Sequence, residues 1–267
     1  MLRIIMTLSM SVKRIATVCL LVFAVFFLTG CVSETIDNRQ FTETPFSPFF
    51  QHSLGEYEIV RQRSVSRTVT EGAFGFPFVR RVRIQGTEWT LAYTEHTGEE
   101  RRLIINTLHR PGHARSNIAS AVLRHAEAII EKQSEELLSK HFSNREIRDF
   151  SMSIEIERIG RFNFTDLIDV EAGISLVNLT PQELFTFADY DIIMSFRGPT
   201  DDILLREQPE LRLRFENLLY DAVLHFNDES LVLRFSGQNL ALLRYDATTG
   251  EFIWNEQLAR MGVWRVP

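Results

Sequence analysis

The chain has 267 residues, 45% of them hydrophobic, with 29 Lys and Arg against 35 Asp and Glu, a formal net charge of −6. That length holds one large or two small domains with real cores. The acidic balance argues against bulk nucleic-acid binding, which needs a basic footprint.

The first stretch has the parts of an export signal. Arg3, Lys13 and Arg14 are cationic, and no acidic residue precedes Cys31. Residues 15–28 then form an apolar run ending at Leu28-Thr29-Gly30-Cys31. A helix over that run rises about 21 Å, at ~1.5 Å per residue. A bilayer core is about 30 Å thick. The run is short for a permanent span and suits a cleaved signal; extended through Val32 it reaches the lower limit of an uncleaved one.

Leu28-Thr29-Gly30-Cys31 resembles the lipobox of bacterial lipoprotein precursors. The resemblance covers only the N-terminal segment and implies a diacylglyceryl group, with acyl chains such as palmitate, on the Cys31 sulfur. It also implies cleavage before Cys31, so residues 1–30 are a signal peptide. The expected place is the extracytoplasmic face of a bacterial membrane, and Val32 after the cysteine leans to the outer membrane in a Gram-negative host. Two acyl chains anchor far more firmly than one. Cys19 falls in the discarded part and Cys31 carries lipid, so no thiol remains for a disulfide or for thiol catalysis.

Residues 31–54 read as a tether: polar at Ser33, Glu34, Asp37, Asn38 and Arg39, then richer in Phe and Pro. Residues 55–149 are expected to be an α+β half, a meander plus a helix. In 56–108, Tyr57, Ile59 and Val65 share one parity with Arg61, Arg63 and Arg67. Residues 78–84, 88–93 and 102–108 read as further strands, joined at Gly86 and at Thr97-Gly98-Glu99. Residues 116–141 carry helical periodicity with Ser116 or Asn117 as cap.

Residues 150–267 read as a second α+β half. Residues 150–159 alternate as a strand with one wet face. Thr180-Pro181-Gln182-Glu183 is a capping box, with Leu179 and Leu184 at the staple positions. A strand near 190–196 follows. Pro209 opens a helix in which Glu210 and Arg214 are spaced for an ion pair. Strands near 231–236, 240–245 and 251–254 close the chain. Tyr93-x-x-x-Thr97-Gly98-Glu99 recurs as Tyr245-x-x-x-Thr249-Gly250-Glu251, which fits either a common hairpin or two similar halves dividing near residue 150. The fold class is α+β: antiparallel sheet with a few packed helices.

Arg61, Arg63, Arg67, Arg80, Arg81 and Arg83 are the basic concentration. Arg grips phosphate and carboxylate with two parallel donors. Six on paired strands would make an anion-binding face for lipid head groups, a phosphate polymer or an acidic protein, unless Glu88 or Glu99 neutralises them. His109-Arg-Pro-Gly-His113 has two imidazoles, but Pro111 and Gly112 break the helix that such sites use, and no metal is expected. Asp166, Asp169, Glu171, Asp201 and Asp202 lack calcium-loop spacing. There is no Gly-x-Ser-x-Gly elbow and no Walker A. No catalytic residue and no cofactor is assigned. The expectation is a membrane-tethered, non-catalytic module binding an envelope protein or polymer. An envelope hydrolase and a transporter's solute-binding lipoprotein stand as alternatives.

Overall fold

The computed structural model describes residues 33–39, 47–72, 79–109, 113–161, 167, 169, 173–197, 208–235 and 240–261. Helices and strands alternate along it around two sheets, so the fold is α+β. The chain divides into two compact units. One comprises 1–45, 59–91 and 104–118, the other 46–58, 92–103 and 119–267.

The first sheet joins β1 (Ser33–Asp37), β2 (Tyr57–Gly72), β3 (Val79–Thr94) and β4 (Glu100–Asn106). β3 pairs with all three others, and β2 lies at an edge. β1 runs parallel to β3 in the register Ser33↔Arg81 to Asp37↔Gln85. The polar start of the expected tether is therefore strand. Its backbone is satisfied along β3 rather than by water, and a side-chain pattern with one apolar residue, Ile36, gives no hint of that.

β3 also departs from expectation. Gly86 does not end a strand; it lies inside one of 16 residues. Val82, Ile84 and Gly86 are buried, then Thr87, Trp89 and Leu91, so the inward parity switches at Gly86-Thr87. A side chain at Gly86 would meet Thr107 Oγ1 at 2.7 Å and the Thr107 carbonyl at 3.0 Å. Glycine is there for close approach, not for a turn. A buried polar knot surrounds it: Thr87 N–H donates to Thr107 Oγ1 at 2.9 Å, and Asn38 Nδ2 to Thr107 O at 2.8 Å. Asn38 Nδ2 also reaches the His109 carbonyl.

In the second unit, α1 (Ser47–Leu54) carries Pro48 in its first turn, where a missing N–H costs nothing. It buries Phe49, Phe50 and Leu54, so the Phe-rich part of the expected tether is helix. α2 (Ala114–His141) begins two residues before Ser116, the earlier of its two expected caps. The Ser116 and Asn117 side chains instead donate to the His113 carbonyl, at 2.9 and 2.7 Å. α3 (Asn144–Asp149) is a short helix held by a reciprocal Ser143–Glu146 capping box.

The second sheet, in order β5-β6-β7-β8-β9, holds β5 (Ser153–Ile159), β6 (Asp189–Phe196), β7 (Val232–Phe235), β8 (Ala241–Asp246) and β9 (Glu251–Trp254). All pairings are antiparallel except β6 with β7. Parallel neighbours need a crossover, and α5 (Pro209–Phe226) lies in it. α4 (Pro181–Phe185) follows the Thr180 capping box as expected, with Leu179 and Leu184 buried. α6 (Glu256–Met261) closes the described chain.

Aromatic rings form the centre of this unit. Phe196 lies 4.8 Å from Phe215 and 5.2 Å from Phe235; Phe142 lies 5.1 Å from Phe215. Such tilted contacts add to burial.

The echoed hairpins both turn on a left-handed glycine, Gly98 at φ 83° and Gly250 at φ 72°. They close differently. Gly98 N–H donates to the Glu95 carbonyl, Gly250 N–H to that of Asp246.

Candidate functional site

Strand alternation decides where the arginines point. On β3, Arg81 and Arg83 are exposed on either side of buried Val82. The parity switch at Gly86-Thr87 brings Glu88 to that same outward face. Arg63 on β2 reaches Glu88 there, Nε to Oε1 at 2.7 Å and Nη2 to Oε1 at 2.6 Å. Arg61 and Arg67 share the parity of Arg63 and are exposed. Five of the six expected arginines thus lie on one face of the first sheet.

One of the five is neutralised. Among the described residues, Arg61, Arg67, Arg81 and Arg83 make no ion pair. Glu99, the other carboxylate weighed as a partner, is engaged by Arg101 at 2.9 Å and by Lys132 at 3.4 Å. The backbone of Arg80 belongs to β3, and its side chain lies outside the described residues. Cys31 lies outside them too, as do Asp166, Glu171, Asp201 and Asp202.

The histidines do other work. His109 is described on the strand side of its loop and His113 on the helix side; the residues between lie outside the described part. Among the described residues, no group of three or more His, Cys, Asp or Glu is placed to hold a metal ion. His125 Nε2 lies 2.9 Å from the Tyr93 hydroxyl, and the rings meet edge-on. Burial pushes the Tyr93 phenol well above its ordinary value, and the nearby Glu95 adds to the rise. Burial, with Arg101 nearby, pulls the His125 imidazole below its own. Both shifts favour the neutral forms, and a single hydrogen bond joins the hydroxyl to the ring nitrogen. His125 is a hydrogen-bonded structural histidine.

Two features were not read from sequence. Arg101 pairs with Glu95 at 2.9 Å across the β3–β4 hairpin. Glu131, Glu135 and Glu155 converge on one groove. The first is a cross-strand pairing that the hairpin register would reveal. The second joins a helix to a distant strand, and no local signal carries it.

No described helix is long and apolar enough to cross a membrane. No protein-family model matches the chain, and neither a curated protein nor a solved structure matches it. Function has to be read from the residues themselves.

Proposed function

We propose that the chain is a lipoprotein anchored through Cys31 outside the cytoplasm, and that it serves as a non-catalytic module whose arginine face binds anionic groups of the envelope. The observation that carries this reading is the set of four exposed guanidinium groups on one sheet face that make no ion pair among the described residues. Guanidinium is built to take phosphate oxygens two at a time.

The strand register strengthens it. Arg81 stands opposite Ser33, two residues beyond Cys31. Two extended residues reach at most about 7 Å, and paired strands lie about 4.8 Å apart. An acylated Cys31 therefore holds the Arg81 backbone within roughly 12 Å of the lipid attachment point, by the same two spacings. That is about one and a half Debye lengths at physiological salt, each about 8 Å. The face meets phosphate chemistry at the membrane surface or in polymers attached there.

Two measurements test the reading. Intact mass of the protein extracted from membranes should show loss of residues 1–30 and a gain of diacylglyceryl on Cys31. Cys31→Ala should abolish both. The detergent-solubilised chain should bind soluble poly(glycerol phosphate) saturably, with affinity falling as salt rises. The quadruple variant Arg61→Gln/Arg67→Gln/Arg81→Gln/Arg83→Gln should bind at least tenfold more weakly. Equal binding by that variant removes the arginine face from the proposal.

A further inference from the structure

The second sheet ends at β5: among the described residues, only β6 is hydrogen-bonded to it. Residues Ser153 to Ile159 all pair on the β6 side, so the other edge of the strand presents backbone donors and acceptors outward. Natural proteins usually blunt such an edge. Here it opens on a groove of about 410 Å³ between β5, α3 and the C-terminal half of α2. Leu138, Met152 and Ile154 give the groove an apolar lining.

The rim is acidic. Glu131 and Glu135 project from α2 and Glu155 from β5. Glu157, two residues along β5, shares the exposed side of Glu155, while Ile154 and Ile156 alternate to the other side. None of these four carboxylates has an ion-pair partner among the described residues. Unpaired carboxylates beside a free strand edge repel one another and attract cations.

We infer that this groove is a docking site for an extended basic segment of a partner protein, added to the second sheet as a strand beside β5. The register states the chemistry of the segment. Side chains of an added strand alternate as those of β5 do. Lys or Arg at every second position would face Glu155 and Glu157, and apolar residues between them would face Ile154 and Ile156. Main-chain hydrogen bonds supply affinity and the alternation supplies selectivity. This site shares no residue with the arginine face and is opposite to it in charge, so it does not depend on what that face binds.

The test uses the full chain in non-ionic detergent and a fluorescein-labelled peptide alternating Val with Lys or Arg over seven residues. Fluorescence anisotropy should show saturable one-to-one binding. Affinity should fall at least tenfold for the triple variant Glu131→Gln/Glu135→Gln/Glu155→Gln. It should fall as much for a peptide of the same sequence N-methylated at alternate residues along the bonding edge, which keeps charge but loses main-chain donors. The quadruple arginine variant should bind the peptide as the parent does. No saturable binding by the parent chain, or equal binding of the N-methylated peptide, overturns strand addition. Equal binding by the triple Gln variant overturns the charge argument. Because one of the key changes is made in the peptide, misfolding of a variant cannot produce the expected result.

Discussion

Arg214 on α5 grips Glu146 on α3 with both arms, Nη1 to Oε1 and Nη2 to Oε2, each at 2.9 Å. Glu146 is also half of the Ser143 capping box, receiving the Ser143 N–H at 2.9 Å. Arg214 in turn lies 4.3 Å over the Phe142 ring and donates to the His141 carbonyl at 3.0 Å. One carboxylate therefore closes a helix start and ties that start to a second helix. The sequence offered Glu210 as the partner of Arg214, one helical turn away. The structure gives the guanidinium a two-armed, partly sheltered partner instead, which an exposed i,i+4 pair does not match.

Arg214, then Ser143, holds the Glu146 carboxyl down at about 2, against an ordinary 4.5. A depressed carboxyl stabilises the fold fully above pH 4.5 and loses that contribution as pH falls toward 2. Urea unfolding at several pH values should show this acid limb. Glu146→Gln should flatten it and lower stability at pH 7 by about 1–2 kcal/mol, the pair being a third exposed and so partly screened. An unchanged acid limb in Glu146→Gln would show that other carboxyls set it.

His225 on α5 has its Nε2 buried, and burial pulls the imidazole below the ordinary 6.5. His125 shifts the same way. In the unfolded chain both rings take up a proton as pH falls through 6.5, while in the folded chain they resist. Stability should therefore decline from pH 7 toward 5. His225→Leu should reduce that slope without abolishing it, since His125 remains. Thermal melts across the range decide the point.

Gly86 has no room for a methyl group against Thr107. Gly86→Ala should cost about 1–3 kcal/mol through overpacking. Asn38→Ala should cost about 1–3 kcal/mol as well, because it strips a donor from the buried Thr107 carbonyl. Denaturant melts of both variants, with the Asn38 result well outside 0.5 kcal/mol, would place residues 33–39 inside the cooperative fold.

The arginine face should matter little for stability. Arg61, Arg67, Arg81 and Arg83 are exposed. Their replacement by Gln should shift the unfolding free energy by no more than about 0.5 kcal/mol each. Arg63→Gln differs, since it leaves Glu88, which is only 17% exposed, without its cation. A larger loss at Arg63 than at Arg67, in parallel melts, is the expected order.

How far the sequence spoke depended on range. Local chemistry was readable: the Thr180 capping box and the Pro209 helix start fold as written, and the alternation expected over 150–159 is strand from Ser153 to Ile159, with Phe150 capping α3 instead. The Ser143-x-x-Glu146 box carried the same signal as Thr180 and was legible, though α3 has no apolar run to draw attention to it. Partnerships between distant segments were not readable. β1 has one apolar side chain and owes its form to β3. Gly86 looks like a turn until Thr107 is beside it. Six arginines were expected on one face and five are described there, but which one was neutralised depended on the register that puts Arg63 beside Glu88.

The parallel pairing of β1 with β3 also bears on how the chain matures. An antiparallel neighbour can zip up from an adjacent turn, whereas β1 must wait for a strand that lies beyond all of β2. Closing that long loop is slow relative to local structure. During synthesis, β1 would emerge before β2 and β3 and stay unmatched longest, as a bare ribbon of backbone amides. Its charges, Glu34 and Asp37, are suited to keeping such a ribbon from pairing with the wrong neighbour until its own arrives.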